Sequence, residues 1–129
     1  MKLEGYFDEH LSPRIEITLR GRSKRRRVWV VVDTGFNGEL LLPRSLLEDL
    51  GFRYSMTSEA ELADGSIVET TLYSGTIRWF GEERTVQVVA SESEDGLLGT
   101  EMLFGVTLFM DLDEDRVILE RKEDSSQRV

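Results

Sequence analysis

Asp33-Thr34-Gly35 stands at the end of the most apolar run in the chain, Val28-Trp29-Val30-Val31-Val32. A strand buried on both faces reads as a continuous run of this kind, so the sequence carries a carboxylate to the mouth of a packed core. A carboxylate placed there is costly unless it is partnered or used. The tripeptide alone is weak evidence, since average residue usage supplies it in about one chain in forty of this length. Other chemistries have less to work with. The single histidine, His10, lies in a polar stretch ahead of the first expected strand, which leaves a serine–histidine–aspartate triad or a histidine metal site with one imidazole at most. The chain has no cysteine, hence no disulfide framework, thiolate zinc site or cysteine nucleophile. Asp111, Asp113 and Asp115 have the alternate spacing that opens a calcium loop, but Arg116 stands where that loop needs glycine and Lys122 where it needs glutamate. That run reads as a solvated hairpin turn. No glycine-rich phosphate-binding pattern occurs, so neither a cofactor nor a metal is expected.

The elements that must hold Asp33 are mostly strands. Ile15, Ile17 and Leu19 alternate with Glu16 and Thr18, the period of a half-buried strand over Pro13 to Arg20. A basic turn follows, and Arg27 to Val32 returns as its hairpin partner. Asn37-Gly38 supplies a tight reversal after the Asp-Thr-Gly triplet. Leu40 to Leu42 is a short apolar strand, and Pro43 to Gly51 a short helix with proline in its first turn and glycine at its end. From Tyr54 to Ala90 the chain reads as strands broken by turns. Asp64-Gly65 turns a hairpin within Glu59 to Thr71, and Phe80-Gly81 reverses between Thr76 to Trp79 and Thr85 to Val89. Ser91 to Asp95 is an acidic surface loop. Gly96-Leu97-Leu98-Gly99 leads into a short helix over Thr100 to Phe104, and a last hairpin joins Val106 to Leu112 with Arg116 to Glu120. The expected class is all-β with one or two short helices. It forms one domain over residues 13–120, preceded by an N-terminal segment, 1–12, and followed by a charged, disordered tail, 121–129.

A net charge of -9 argues against general nucleic-acid binding, yet six of the eight residues from Arg20 to Arg27 are basic. The plain interpretation is a solvated hairpin tip attracted to the acidic remainder. A phosphate- or lipid-binding patch is the sharper one. The first residues hold no apolar stretch of signal-peptide length, and no apolar run approaches about 18 residues, so no membrane span and a cytoplasmic location are expected.

Three separated features, in this order, resemble the retropepsin-like aspartic proteases of the pepsin clan over about Ile15 to Glu120. They are the apolar strand ending in Asp33-Thr34-Gly35, the Ala63-Asp64-Gly65 hairpin where that family carries its flap, and Leu97-Leu98-Gly99 followed by a short helix. Asp33-Thr34-Gly35-Phe36 is similar to a prokaryotic, non-viral branch with phenylalanine after the triplet. The resemblance implies an acid-protease barrel with one lobe per chain. One chain supplies one Asp-Thr-Gly, whereas the family's chemistry needs two carboxylates facing one water, so a homodimer with the site on its two-fold axis is implied. The two Asp33 side chains would share one proton and titrate as a pair. One would act as general base on water while the other polarises the peptide carbonyl. Thr34 would hold the two loops in register and Gly35 would allow close backbone approach. Ala63, Asp64 and Gly65 would form the flap over an extended polypeptide substrate.

Two departures stand out. Pepsin-like enzymes carry a hydroxyl after the triplet where this chain has Phe36, so the dyad is expected to titrate higher, with activity at weakly acidic to neutral pH. Viral relatives dimerise through interleaved terminal strands, but this chain ends in the polar Lys122 to Arg128. That leaves Val106 to Leu119 or the first dozen residues as the interface. The implied function is a homodimeric aspartic endopeptidase; the alternative is a catalytically silent dimerisation or peptide-binding module of the same fold.

Overall fold

The computed structural model describes residues 1–122, so most of the tail expected from 121 onward lies outside the described residues. Ten strands follow in chain order: β1 (Lys2–Phe7), β2 (Pro13–Arg20), β3 (Arg25–Val32), β4 (Leu40–Pro43), β5 (Arg53–Glu61), β6 (Ile67–Trp79), β7 (Glu82–Ser91), β8 (Leu97–Leu98), β9 (Val106–Asp111) and β10 (Arg116–Arg121). Among the described residues one helix, α1 (Arg44–Leu50), follows β4, and a single 3-10 turn spans Thr100–Leu103. The all-β expectation therefore holds.

The strands form one sheet in the order β5-β6-β7-β4-β8-β3-β2-β1-β10-β9, and an extra pairing of β6 with β2 closes its middle into a barrel. Alternation places one side of each wall strand inside. Ile15, Ile17 and Leu19 of β2 meet Val30 and Val32 of β3, Leu40 and Leu42 of β4, Ile77 of β6, Val86 and Val88 of β7, and Leu98 of β8, all buried. α1 caps one end through Leu47 and Leu50, and Gly51 closes it in the left-handed conformation, φ 73°.

Three sequence expectations are corrected. The run Val28 to Val32 is not buried on both faces: Trp29 is 41% exposed. It packs edge-on against Tyr6 with ring centroids 4.9 Å apart on the outer wall. A barrel strand has only one inward face, and β-branched residues serve both. Second, the N-terminal segment contains a strand, β1, which pairs antiparallel with β10 and β2. A Cβ on Gly5 would sit 1.7 Å from the Arg14 carbonyl oxygen, so glycine permits that approach. Third, β6 runs unbroken through Thr71 for 13 residues, pairing with β5 along one stretch and with β7 along the next.

The basic hairpin tip is as expected, with Gly21 N–H donating to Lys24 O across it. His10 is exposed beside Glu9. Asp111 Oδ1 accepts from the N–H groups of Asp113 and Glu114, which makes that acidic run a hairpin turn.

Candidate active site

The two residues Leu97-Leu98 position Asp33. β8 lies between two strands, parallel to β3 (Val31↔Leu97, Val32↔Leu98) and antiparallel to β4 (Leu40↔Leu98, Leu41↔Leu97). It thus joins the strand that enters the Asp33 loop to the strand that leaves it. Val31 N–H donates to Gly96 O and Asp33 N–H to Leu98 O, both at 2.9 Å, so the backbone of Asp33 is pinned by the last residue of the wedge.

The loop from Asp33 to Glu39 is closed by main-chain bonds. Phe36 N–H donates to Asp33 O at 3.1 Å; Gly99 N–H donates to Glu39 O at 2.8 Å, Thr100 N–H to Phe36 O at 2.9 Å, and Glu101 N–H to Gly38 O at 3.2 Å. The Thr100 hydroxyl adds a bond to Phe36 O at 3.3 Å. The first-turn donors Thr100 N–H and Glu101 N–H are thus satisfied by loop carbonyls, and in place of the expected helix stands one 3-10 turn over Thr100–Leu103, with Met102 N–H donating to Gly99 O at 3.1 Å. Gly99 is required here because a Cβ on it would lie 2.1 Å from Gly38 O and 2.6 Å from Phe36 O. The Phe36 ring folds back over Gly38 and Gly99, within 2.6 and 2.7 Å of where their Cβ atoms would be. Phe36 thus packs the loop apolarly against both glycines.

The Asp33 carboxylate is half-buried. Its Oδ1 accepts from the Gly35 N–H at 2.8 Å, while Oδ2 has no hydrogen bond among the described residues. One oxygen is oriented and the other is left to a ligand or water. A Cβ on Gly35 would come 3.1 Å from Oδ1, so Gly35 keeps that approach open. Thr34 is exposed and makes no side-chain hydrogen bond among the described residues.

Glu39 is a residue that sequence reasoning missed. Its carboxylate, with the side chain only 15% exposed, receives Arg84 Nη2 at 2.7 Å and the Gln87 N–H at 2.8 Å. It ties the loop to β7. The available signal was a charge set between Gly38 and the apolar Leu40 to Leu42, where burial demands a partner.

Ala63, Asp64 and Gly65 lie at the exposed tip of the β5–β6 hairpin. Leu62 N–H donates to Ser66 O at 2.8 Å and Gly65 N–H to Leu62 O at 2.9 Å, with Gly65 at φ 87°. Asp64 Oδ1 accepts from the Ser66 hydroxyl and N–H, which holds its carboxyl below the usual carboxylate range. Ile67 to Thr71 pair only with β5, so the arm beyond Leu72 is a two-stranded ribbon. It exposes Met56, Leu62, Ile67 and Val68. Such a ribbon is marginal on its own and suited to moving. No hydrogen bond joins its tip to the Asp33 loop among the described residues.

No family model matches the sequence, and no curated protein matches it. Solved structures do. A retropepsin-like aspartic protease from Rickettsia conorii superposes with a TM-score of 0.61 at 16% identity, covering 92% of this chain and 89% of that one. The fold is retropepsin-like. Simian foamy virus protease is a second match, with a TM-score of 0.53 at 21% identity, covering 70% of this chain and 90% of that one. The retropepsin-like barrel accounts for the arrangement above: a short apolar strand wedged against the Asp33 loop, and a hairpin arm projecting from the wall. Among the described residues no helix is long and apolar enough to cross a membrane.

Proposed function

We propose that this protein is an aspartic endopeptidase that acts as a homodimer, with Asp33 of each copy facing one water. The observation that carries this reading is the Asp33 carboxylate itself, with one oxygen held by the Gly35 N–H and the other without a hydrogen bond among the described residues, on a loop clamped by Gly99 and Thr100. The dyad holds one proton. The ionised carboxylate takes a proton from water as its oxygen attacks the peptide carbonyl, and the protonated partner gives its proton to the carbonyl oxygen. The tetrahedral diol collapses as the protonated carboxyl passes its proton to the leaving nitrogen while the ionised one takes a proton from a diol hydroxyl, which breaks the C–N bond, releases amine and carboxylic acid, and restores a single shared proton. Thr34, whose hydroxyl has no partner among the described residues of one chain, pairs across the two-fold axis, and Ala63, Asp64 and Gly65 close over the extended substrate.

The edge of the sheet supports a specific seam for the second copy. β1 is paired on both sides, by β2 and β10, and Val117 and Leu119 of β10 are buried. β9 keeps one free backbone edge, and around it Phe104 is 85%, Phe109 46%, Met110 51% and Leu112 60% exposed. An unpaired apolar edge is a template for strand pairing. The second copy therefore docks along β9. Incubating a peptide library with wild-type and Asp33→Asn protein, with and without a statine-type inhibitor, tests the function. Cleavage that is lost in the variant and blocked by the inhibitor is expected. Peptide binding without cleavage by wild-type protein would instead identify a silent peptide-binding module.

A further inference from the structure

The positive charge of the β2–β3 hairpin is only partly spent inside the molecule. Arg20 pairs with Glu83, and Lys24 and Arg26 share Asp49 at 2.9 and 3.4 Å. Arg22 has no carboxylate partner among the described residues, and neither has Arg53 at the start of β5. Both line a groove of about 320 Å³ between the hairpin and the root of the β5–β6 arm, together with Arg20, Ser74, Thr76 and Thr85. Asp33 does not line it.

Strand register explains why these groups converge. Arg20 is opposite Thr76, and Thr76 is opposite Thr85, a row across β2, β6 and β7. Ser74, two residues before Thr76, shares its face and is opposite Arg53. Arg22 is fixed from the other side. Its N–H donates to Leu50 O at 2.9 Å, and its side chain lies beside Gly51, the residue that ends α1. Two arginines with no carboxylate partner among the described residues thus line one groove with three hydroxyl residues, on a frame set by the sheet. A guanidinium presents paired N–H donors that match the oxygens of a phosphoryl group, and hydroxyls supply further donors. Glu83 occupies Arg20, which leaves Arg22 and Arg53 as the main clamps.

We propose that this groove is an anion site for a phosphoryl group, carried by a small phosphate ester or by a phosphorylated lipid headgroup. It spans the root of the arm (Arg53, Ser74) and the β2–β3 hairpin (Arg20, Arg22), so an occupant ties the two together. Calorimetric titration with inorganic pyrophosphate tests the soluble source. Flotation with phosphatidylcholine vesicles, with and without a phosphatidylinositol monophosphate, tests the lipid source. Wild-type protein is expected to bind at least one probe, and Arg22→Ala/Arg53→Ala to bind it at least about tenfold more weakly. Arg25→Ala/Arg27→Ala removes the same charge outside the groove and is expected to bind within about twofold of wild type. Arg22→Lys/Arg53→Lys keeps the charge but loses the paired donors, and an intermediate affinity is expected. Binding of neither probe by wild type, or equal losses in the two alanine pairs, would overturn the proposal. The second result would mean diffuse attraction to the hairpin instead of a site.

Discussion

Gly99→Ala perturbs the account where the Asp33 loop is most tightly held. Gly99 has φ −96° and ψ 177°, an extended conformation open to alanine, so backbone strain contributes nothing. The cost is steric. The new methyl would lie 2.1 Å from Gly38 O and 2.6 Å from Phe36 O, whereas real Cβ atoms essentially never approach within 3.0 Å of another group. The loop and the 3-10 turn must part by roughly 1 Å in a close-packed region. That shift stretches the bonds from Gly99 N–H to Glu39 O and from Thr100 N–H to Phe36 O, now 2.8 and 2.9 Å. Overpacking of this kind costs about 1–3 kcal/mol, and one weakened hydrogen bond adds about 1 kcal/mol. A destabilisation of about 2–4 kcal/mol is expected from urea-unfolding midpoints. Because a misplacement of about 1 Å costs about a hundredfold in rate, kcat/KM for peptide cleavage should fall by at least that factor in the fraction that remains folded. Gly65→Ala is the contrast, since a Cβ there meets nothing within 4 Å. Its positive φ costs about 1–2 kcal/mol locally, at the tip of an arm that contributes little to global stability. A Gly99→Ala protein with an unchanged midpoint and unchanged cleavage would refute the clamped-loop reasoning.

Glu39→Gln removes the charge that meets Arg84 at 2.7 Å but keeps an acceptor for the Gln87 N–H. Stability should fall by about 1 kcal/mol, discounted for the part-exposed arginine, while kcat/KM falls further than KM rises. Peptide kinetics beside unfolding curves would separate the two effects. Asp8 provides the pH prediction. The Arg14 guanidinium at 2.7 Å and the N–H groups of Ser12 and His10 hold its carboxyl below the ordinary value of 3.8. A carboxyl lowered in the folded state contributes stability that is present above pH 3.8 and lost as pH falls through the lower folded value. Asp8→Asn should therefore be less stable near neutrality and lose less stability on acidification. Parallel slopes of unfolding free energy against pH for the two proteins would contradict that assignment.

Much of the barrel was legible because its strands alternate and its turns carry the residues that turns require. Ile15, Ile17 and Leu19 marked β2, Asp64-Gly65 marked the arm, and Gly51 marked the end of α1. β1 was not legible: its inward positions are Leu3, Gly5 and Phe7, and a glycine chosen for backbone clearance weakens the apolar period. The outward Trp29 was misread because β3 is apolar on both faces. Asp33, Leu97-Leu98 and Gly99 could be singled out by type and order, but their connection runs through main-chain bonds, which leave no side-chain signature. The Glu39 contacts with Arg84 and Gln87 depend on β4 lying parallel to β7, a non-local pairing that no local pattern announces. The Arg22 and Arg53 groove is of the same kind, since those residues are neighbours only through the registers of β2, β5, β6 and β7.

Mixing wild-type protein with Asp33→Asn protein at constant total concentration tests the central claim, that the chemistry needs Asp33 from two chains. After subunit exchange, peptide cleavage should follow the square of the wild-type fraction, about one quarter of full activity in an equal mixture, because mixed dimers carry a single carboxylate. A linear decline, to about one half in that mixture, would show that one Asp33 suffices and would contradict the account.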